Sequence, residues 1–544
     1  MDNADTPTSR RLGRLPPSIV AILASAAVLL SVCPRGSRYS EPGITLDEPF
    51  NVQEGVRLAY GVPEWLTGRL TLREVWGDAE DQKPGRSPLG PHLSDHPPLG
   101  RLWIGLWHRA VANDDQVPFS IAAGRVGSAV AFGLTVFLVG LATARWYGTA
   151  AGLFASLALA TMPRVFGHAH LAALETFTNL TFAAAVLSVA AFWKKQAPGW
   201  KTAVLTGALF GLALLSKMQA VFLPIPVAVW ALWRYRARAI LPLAIFGGIA
   251  FAVFFVGWPW LWLDPMSHLL EYFASTTERA SLHAFYMGAQ YVDREVPWHY
   301  PFVMFLVTVP VGWQLAGMFG SFKSASDPDD CWRRRLLGGA MLLPLIAFAV
   351  PGVVVYDGVR LFLVVFPLWA VFVGRGAAAV FDRLRQRRSR VLAVALIVAL
   401  IGIQSVPLFL IRPCCLSYYN AFVGGTWGAE KLGFEMNYWG DAVTPEFLDG
   451  VADAAPAGST VDVVPVLHAL QLPAWRRQSG ALRDKRISLR AYDPLRNAPS
   501  KYVLVFRRRA GLSPELELAR ENARVLAVVR RQGVVLAALY QLRD

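Results

Sequence analysis

Charged residues are scarce in this sequence. Asp, Glu, Lys and Arg make up 17% of the 544 residues, whereas 54% of the residues are hydrophobic. Soluble globular domains carry about 25% charged residues, so the composition excludes an ordinary soluble enzyme, and the chain is too long for one domain. The sequence therefore predicts a polytopic membrane protein.

Cysteine is also rare. The four cysteines, Cys33, Cys331, Cys414 and Cys415, have no spacing that is typical of a metal site. Cys414 and Cys415 are adjacent, which makes them a poor disulfide pair on geometric grounds. The cysteines therefore indicate little about function, and the sequence has no internal repeat or low-complexity tract.

Positive charge is abundant, but its distribution argues against a nucleic-acid partner. The formal net charge is +15, yet Arg and Lys cluster in short loops between apolar runs, as in membrane proteins whose basic loops face the cytoplasm. If every cluster is cytoplasmic, neighbouring clusters must be separated by an even number of crossings, and the apolar runs satisfy this rule with about 11 spans. The clusters lie at 10–14, 194–201, 234–238, 333–335 and 383–390.

The same reasoning divides the chain into three regions. Residues 1–14 form a basic cytoplasmic N-terminus, 15–411 an all-α membrane domain of about 11–13 transmembrane helices, and 412–544 a small external α/β domain. In the last region, "STVDVVPV" and "KYVLVF" predict buried strands, whereas "PAWRRQSGALR" and "SPELELARENARVLAVVRRQG" predict amphipathic helices. The first external loop spans 34–118, and its "PPLGRLWIGLWHRAVA" stretch is amphipathic enough to lie in the membrane interface.

The polar residues collect on the non-cytoplasmic side, because the span ends that carry them all face outwards. The middles of the predicted spans are nearly free of ionisable groups, whereas a transporter is expected to carry such groups near the midplane and at both faces. A transporter with an external recognition site and a catalytically silent scaffold remain alternatives to an enzyme that works at the outer surface. The outward-facing candidates include Asp47, Glu48, Asp95, His96, Lys217, His283 and Tyr286.

Two polar clusters in the first external loop suggest catalysis. Asp47 and Glu48 in "LDEPFNVQEG" follow the first apolar run, where burial beside lipid would raise a carboxylate pKa and suit it to general-base work. In "SDHPPLGRLWIG", two prolines fix a rigid turn that holds Asp95 and His96 at a set depth, while Arg101 points to the headgroup layer. The alternatives are a solvated carboxylate pair and a hydrogen-bonded structural histidine.

Two further cations are candidates for contact with a lipid phosphate. Lys217 lies in a turn between two short spans, at or below headgroup level, and Arg125 lies inside an outer helix end, from which it can snorkel. Plain interface anchors are the alternative for both. His283 and Tyr286 belong to the aromatic external segment 283–301, which is either an interfacial belt or a lid over a bound donor.

Two segments near the end of the membrane region carry structural expectations. Asp357 and Arg360 are expected to form an internal ion pair at an outer turn. The segment 418–441 is rich in glycine and aromatic residues, and we expect it to dock the C-terminal domain onto the membrane domain.

In combination, these motifs resemble a known family. The acidic pair at 47–48, "DHPPLGR" at 95–101 and "GLALLSKMQAVFLP" at 211–224 are similar, in this order and topology, to the protein O-mannosyltransferase superfamily, which includes the bacterial lipid A aminoarabinose transferases. The resemblance covers roughly residues 15–410, and it implies the GT-C fold of integral-membrane glycosyltransferases. It also implies that Asp47 is the catalytic carboxylate, that Glu48 supports it, and that Lys217 lies near the donor phosphate. The large β-trefoil insertion of eukaryotic members has no counterpart here, which leaves the acceptor open.

The resulting hypothesis is a glycosyltransferase of the inner membrane that works on its extracytoplasmic face. It would transfer a mannose- or aminoarabinose-like sugar, with inversion, from a polyprenyl-phosphate donor to a hydroxyl or amine of a lipid, glycan or protein acceptor. Asp47 would deprotonate the acceptor while Lys217 or Arg125 steadies the leaving phosphate. Membrane lipids are the other expected partners. No cofactor is required by the sequence, and a divalent metal is not indicated because the first external loop has no Asp-x-Asp motif.

Overall fold

The computed structural model of the protein describes residues 16–32, 41–81, 89–112, 120–194, 196–275, 281–325, 327–387, 390–466, 468, 470–493, 495–496, 498–512 and 523–542. Helices make up most of this part of the chain, and a small sheet lies near the C-terminus. The predicted fold class, an α-helical membrane domain followed by a small α/β domain, is confirmed. The basic N-terminus at 1–14 lies outside the described residues.

Helices occupy every position at which the sequence predicts a membrane span, because a chain in lipid must pair its backbone groups internally. In chain order the helices up to the C-terminal domain are α1 (Pro17–Val32), α2 (Glu48–Leu66), α3 (Leu72–Trp76), α4 (Leu99–Val111), α5 (Ile121–Tyr147), α6 (Thr149–Thr161), α7 (Pro163–His168), α8 (Leu174–Phe192), α9 (Trp200–Leu214), α10 (Pro224–Tyr235), α11 (Ile240–Gly257), α12 (Trp260–Leu263), α13 (Pro265–Ser275), α14 (Tyr300–Thr308), α15 (Val311–Phe322), α16 (Pro328–Ala347), α17 (Val365–Arg387) and α18 (Arg390–Ile411).

Within the described residues, five helical stretches have the length and hydropathy that a membrane crossing needs. They are Ile121–Tyr147, Leu174–Phe192, Met218–Gly257, Val365–Gln386 and Val394–Ile411. Shorter apolar helices cover Pro17–Ser31, Thr149–Thr161 and Trp200–Leu214. The protein is therefore an integral membrane protein by its helices, and the number of crossings stays a prediction.

The apolar run at 299–320 does not form the single straight span that its length predicts. α14 and α15 meet at an angle of 115°, which makes them a broken span or a re-entrant loop. The break falls at Pro310. Proline has no backbone N–H to donate to the helical hydrogen-bond pattern, and it disfavours helical backbone angles at the preceding residue. Val309 is accordingly extended, with φ −99° and ψ 137°.

The loops predicted to be cytoplasmic meet at one end of the helices. Arg234, near the end of α10, lies 2.6 Å from Asp329 at the start of α16. Arg375 of α17 and Tyr147 of α5 both donate to the carboxylate of Asp330, at 2.8 and 2.7 Å. The ends of α5 and α10 therefore lie beside the start of α16, as the even-number rule predicts for these segments, and the side of the membrane stays a prediction.

α2 and α4 of the first external loop cross in backbone contact. A Cβ at Gly105 would collide with the carbonyl group of Gly55, so glycine at this crossing allows the two backbones to touch. The crossing brings Arg101 of α4 against Asn51 of α2, with 3.3 Å between Arg101 Nε and Asn51 Oδ1. One face of α4 is buried while Leu106 is exposed, and the predicted interfacial position of this helix stays a prediction.

The C-terminal domain is a five-stranded sheet with short helices. Its helices are α19 (Gly425–Lys431), α20 (Pro445–Ala454), α21 (Gln471–Gln478) and α22 (Gly480–Asp484). After the hairpin of β1 (His283–Tyr286) and β2 (Ala289–Val292), the strands are β3 (Thr460–Val464), β4 (Ser488–Ala491), β5 (Tyr502–Phe506), β6 (Arg524–Arg531) and β7 (Val534–Gln541). The sheet order is β4-β3-β5-β7-β6, in which β3 runs parallel to β4 and β5, and β7 runs antiparallel to β5 and β6. Both predicted strands, β3 and β5, are confirmed.

The amphipathic helix predicted over 513–533 is wrong in its second half. The segment Arg524–Arg531 is strand β6, which pairs with β7 through a turn at Gln532 and Gly533, both with positive φ. Its three valines favour a pleated strand, and pairing with β7 outweighs the helical periodicity of the segment. Residues 513–522 lie outside the described residues.

The C-terminal domain is docked onto the membrane domain, in part through the predicted segment 418–441. Arg164 of α7 donates from Nε to the carbonyl of Tyr418 at 3.1 Å. Trp475 of α21 donates from Nε1 to the carbonyl of Ile44 at 2.9 Å. The domain therefore holds the stretch that leads into α2.

Candidate active site

A cavity of about 800 Å³ lies among the residues predicted to face outwards. Its walls combine the first external loop with the start of α8, the turn after α9, the loop before α17 and the C-terminal domain. One wall is ionic and is formed by Asp47, Asp95, Arg101, Glu175, Lys217, Arg294, Asp357, Arg360 and Arg508. Another is apolar and includes Met218, Phe222, Phe348, Val353 and Val354. The cavity brings together five of the residues predicted from the sequence, namely Asp47, Asp95, His96, Arg101 and Lys217.

Asp47 precedes α2 directly. Its side chain is 29% exposed, and its Oδ2 accepts a hydrogen bond from Arg360 Nη2 at 3.0 Å. No hydrogen bond from a described residue reaches Asp47 Oδ1. Burial raises the pKa of Asp47 above its usual value, and the positive charge of Arg360 opposes this rise. Asp47 therefore offers one oxygen to a ligand while the other is held by a cation.

Arg360 is the centre of the ionic wall. Besides Asp47, it contacts Asp357 through Nη1 at 3.1 Å and Glu175 through Nε at 3.5 Å. Its guanidinium also lies 4.3 Å from the ring centroid of Trp439. The predicted ion pair of Asp357 and Arg360 is confirmed, and it forms part of a larger network.

Lys217 lies beside Arg360, in the turn that the sequence predicts between α9 and α10. Its extended backbone, with φ −170° and ψ 156°, starts the short 3-10 helix Met218–Phe222. Lys217 Nζ lies 2.5 Å from Glu175 Oε1. Because Glu175 also contacts Arg360, one carboxylate holds both cations at the cavity wall, where they could bind an anionic phosphate.

The "DHPPLGR" turn contributes three side chains to the cavity. Arg101 donates to both carboxylate oxygens of Asp95, at 2.6 and 2.9 Å. Its side chain is 3% exposed, so the expectation that Arg101 points to the headgroup layer is wrong, because the ion pair holds it inside. Burial alone would raise the pKa of Asp95, but Arg101 and His96 hold that pKa well below its usual range. Burial lowers the pKa of His96 to about 4, which makes it a neutral hydrogen-bonding group near neutral pH.

Glu48 and Arg125 form a sealed ion pair that does not line the cavity. Glu48 is fully buried and Arg125 is 2% exposed. Arg125 contacts the two oxygens of Glu48 at 2.7 and 2.9 Å, and the backbone N–H groups of Thr45 and Ala172 each donate to the same carboxylate at 2.8 Å. The predicted roles of Glu48 beside the base and of Arg125 on the leaving phosphate are therefore corrected. The pair fastens the start of α2 to α5 and to the loop before α8.

His283 and Tyr286 lie on hairpin β1–β2 beside the cavity and do not line its described wall. Tyr286 is 1% exposed, and its hydroxyl lies 2.8 Å from Nδ1 of His299. His283 is exposed. The hairpin is seated on the C-terminal domain, with Gly288 N donating to the carbonyl of Gly433 at 3.0 Å. Neither residue is among those that line the cavity, and the substrate contacts predicted for both stay predictions.

Two cavity residues from the C-terminal domain were not predicted. His468 follows β3, and Arg508 follows β5, so both come from the carboxyl ends of neighbouring parallel strands. Ligand-binding groups are common at that edge of an α/β sheet. Both strands are predictable from the sequence, so the carboxyl edge of this sheet could have been predicted as part of the site. The three consecutive arginines at 507–509 lie at this edge.

A cluster of metal-ligating residue types adjoins the cavity. The ligand atoms of Asp78, His268 and Glu271 lie within 4.8 Å of one another. Nδ1 of His268 lies 2.8 Å from the carbonyl of Trp260, and Nε2 lies 3.8 Å from Asp81 Oδ2. A smaller pocket of about 320 Å³, which shares Asp95 with the main cavity, contains Asp78 and Glu271. The sequence did not indicate this cluster, and the expectation that no metal is required stays a prediction.

One family model matches part of the chain. Residues 95–262 match the model described as dolichyl-phosphate-mannose-protein mannosyltransferase. The matched segment contains "DHPPLGR", Glu175 and Lys217, and it begins after Asp47. The match confirms the resemblance that the sequence motifs indicate, and it favours an enzyme over a transporter. No curated protein sequence matches this chain.

The chain is also similar to solved structures of membrane enzymes. ArnT from Cupriavidus metallidurans bound to undecaprenyl phosphate has a TM-score of 0.47 at 12% identity, over 96% of this chain and 97% of that chain. The apo oligosaccharyltransferase of Archaeoglobus fulgidus has a TM-score of 0.48 at 13% identity, over 90% of this chain and 69% of that chain. The S. cerevisiae Pmt1-Pmt2 complex bound to the sugar donor has a TM-score of 0.32 at 16% identity, over 50% and 40%. Because these TM-scores are below 0.5, the likenesses carry no argument about the reaction.

Proposed function

We propose that this chain, a membrane glycosyltransferase related to the protein O-mannosyltransferases, transfers a sugar from a polyprenyl-phosphate donor to a hydroxyl or amine acceptor. Asp47 is the general base, and the acceptor belongs to a lipid, glycan or protein of the extracytoplasmic side. The observation that carries the proposal is the cavity itself, where a carboxylate with one oxygen that accepts no hydrogen bond from the described residues lies beside two cations and apolar side chains.

The cavity suits a donor that is anionic at one point and apolar beyond it. Lys217 and Arg360 share Glu175 and present positive charge to the cavity, which favours a phosphate by charge-assisted hydrogen bonds. Met218 and Phe222 follow Lys217 on the same 3-10 helix and line the apolar wall. An isoprenoid chain that starts at a phosphate held by Lys217 would meet these side chains next. The family description, which names a dolichyl-phosphate sugar, supports the same donor class.

The reaction is a single in-line displacement at the anomeric carbon. The acceptor O–H or N–H gives its proton to Asp47 Oδ1 as the acceptor atom forms a bond to the anomeric carbon. The bond between that carbon and the donor phosphate oxygen breaks, and polyprenyl phosphate leaves with the bonding electrons. Lys217 and Arg360 stabilise the added negative charge on the phosphate. One displacement inverts the configuration of the anomeric carbon.

The test is a transfer assay with the purified full-length protein in proteoliposomes. Polyprenyl-phosphate sugars labelled in the sugar are supplied one at a time with a membrane extract as acceptor source. We expect label to appear in the acceptor fraction in equal amount to the polyprenyl phosphate released, with inverted anomeric configuration. Accumulation of unchanged donor in the opposite leaflet without transfer would identify a transporter, and retained configuration would exclude the single displacement.

A further inference from the structure

The C-terminal domain reaches the centre of the cavity through Arg508. This arginine follows β5 at the carboxyl end of the parallel strands and is 5% exposed. Its Nη2 lies 3.3 Å from Asp357 Oδ1, and its Nη1 donates to the carbonyl of Tyr438 at 2.5 Å. Arg508 is therefore fixed at the interface between the two domains, with its charge directed at a carboxylate of the membrane domain.

A continuous series of ion pairs connects Arg508 to Asp47. Asp357 contacts Arg508 through Oδ1 and Arg360 through Oδ2, at 3.3 and 3.1 Å. Arg360 in turn contacts Asp47 at 3.0 Å. The side chains of Asp357 and Arg360 are 4% and 7% exposed, so water screens these charges weakly. Two weakly screened side chains, Asp357 and Arg360, therefore connect Arg508 to Asp47.

We infer that Arg508 is a positioning residue for the reaction, through which the C-terminal domain completes the active site by neutralising Asp357 and leaving Arg360 free to hold Asp47 ionised. The inference rests on the proposed role of Asp47 as the general base. It gives the C-terminal domain a part in catalysis rather than in membrane attachment or acceptor capture alone.

The numbers of carboxylates and cations around Asp47 explain why Arg508 of the C-terminal domain is needed to keep Asp47 ionised. Around Asp47 the network contains two other carboxylates, Glu175 and Asp357, and three cations, Lys217, Arg360 and Arg508. Arg101, paired with Asp95, adds positive charge nearby. Without Arg508, three carboxylates would share Lys217 and Arg360, and Asp357 would draw Arg360 away from Asp47. The proton affinity of Asp47 would then rise, because a weaker positive field favours its neutral form.

Tyr438, whose pKa burial raises, and His468 of the cavity wall are titratable groups on the Arg508 side. Glu435 is a third. It accepts hydrogen bonds from the backbone N–H groups of Arg509 and Ala510, at 2.8 and 2.9 Å. Burial raises the pKa of Glu435 to about 7, while these backbone hydrogen bonds lower it. Titration of Glu435 would change the charge beside Arg508 near neutral pH. The pH profile of activity must therefore separate this titration from the acid limb, the loss of activity at low pH, that belongs to Asp47. The variant Glu435→Gln removes this second titration.

The experiment is the pH profile of kcat/KM for sugar transfer by the full-length protein, measured in the Glu435→Gln background. We expect Arg508→Gln to move the acid limb to higher pH by about 0.5 unit or more, which is the lower part of the range for a nearby charge. Arg508→Lys, which keeps the charge, should leave the limb within about 0.2 unit of the parent. A control is Arg490→Gln, which removes an arginine of the same domain that is paired with Asp462 on β3 and is not among the residues that line the cavity.

A second variant keeps the test decisive if Arg508→Gln fails to fold. Asp357 has φ +56°, a left-handed conformation that asparagine adopts readily, so Asp357→Asn is compatible with the backbone. It should move the acid limb to lower pH, and Arg508→Gln combined with Asp357→Asn should return the limb towards the parent. An unmoved limb in Asp357→Asn, or in a folded Arg508→Gln, overturns the inference. If Asp47→Asn keeps full activity, the proposed base itself is wrong, so the two failures are distinct.

Discussion

Asp47 and Glu48 are neighbours in the sequence, yet they belong to two ionic clusters of opposite character. Glu48 is fully buried, and Arg125, Thr45 and Ala172 together supply hydrogen bonds to both of its oxygens. Asp47 is 29% exposed, shares Arg360 with other carboxylates, and has an oxygen that no described residue contacts. Both oxygens of Glu48 therefore accept hydrogen bonds from the protein, whereas Asp47 can still accept one from a ligand.

The difference comes from the start of α2. Asp47 precedes the helix and Glu48 is its first residue, so the two side chains leave the backbone in different directions. A carboxylate whose lone pairs are all used stabilises structure, because it cannot exchange a partner without leaving another buried charge unpaired. A carboxylate with a free oxygen beside a cavity is suited to receive a proton. The four predictions that follow test this contrast, and they run from the largest expected effect to the smallest.

Glu48→Gln should destabilise the protein strongly, because it leaves Arg125 as a buried cation without its partner. We expect a loss of about 3–5 kcal/mol in unfolding free energy, seen as a lower thermal midpoint in detergent and a lower yield. The matched control is Glu64→Gln on the same helix, whose partner is Arg69 and whose side chain is 39% exposed. That exposed pair should contribute less than about 1 kcal/mol. Equal melting of the two variants would contradict the sealed cluster.

Lys217→Ala should weaken donor binding by about 10- to 100-fold, the value of a hydrogen bond to a charged group. Turnover should fall less, because the donor phosphate is already charged in the ground state. Titration of polyprenyl phosphate and single-turnover rates separate the two effects. Lys431→Ala, at an exposed lysine that contacts Trp427, is the control. Unchanged donor affinity with lost turnover would instead assign Lys217 to the transition state alone.

The pH profile should carry the signature of a raised carboxylate pKa. Asp47 must be ionised to accept a proton, so activity is present above its pKa and lost as the pH falls through it. Burial raises that pKa above the ordinary value of 3.8, and we therefore expect the acid limb of kcat/KM to lie above pH 3.8. His96, with a pKa of about 4, is neutral near neutral pH. A rate that remains constant down to pH 4 would exclude a raised pKa for the base.

His283→Ala should have the smallest effect, less than about twofold in transfer rate, because surface substitutions away from a site are usually near neutral. His283 is exposed on the hairpin, whereas His96 lines the cavity. His96→Ala removes the same imidazole from the cavity wall and should reduce kcat/KM clearly more. A larger loss from His283→Ala than from His96→Ala would return the hairpin to the site as a lid.

Which helix ends lie together, and much of the candidate site, could be predicted from the sequence. Long apolar runs and basic loops determine which helix ends share a face, and that was enough to bring Asp47, Asp95, His96, Arg101 and Lys217 together on one side. The sequence could not show that Asp47 lines the cavity while Glu48 forms a buried ion pair. The distinction depends on Arg125, which lies 77 positions beyond Glu48 and contacts it only after α5 packs against the loop.

Other errors have equally specific causes. Arg508 reaches the cavity only because the C-terminal sheet docks beside Asp357, a contact that no local pattern records. Strand β6 was read as a helix because its apolar positions fit a helical period, and its pairing with β7 is a tertiary effect. The charge of Arg101 suggests a position in the headgroup layer, whereas its side chain is only 3% exposed and pairs with Asp95.

The central claim is that Asp47, and not Glu48, takes the proton from the acceptor. Asp47→Asn keeps the size of the side chain and can still bond to Arg360 through its amide oxygen, but it cannot accept a proton at useful pH. The most direct measurement is its initial rate of sugar transfer in proteoliposomes, with donor affinity and thermal midpoint measured on the same preparation and with Asp453→Asn, at a 79% exposed side chain, as the control. We predict a rate lower by about 10²-fold or more, with near-normal donor affinity and melting. A near-normal rate for folded Asp47→Asn would contradict the assignment of Asp47 as the base.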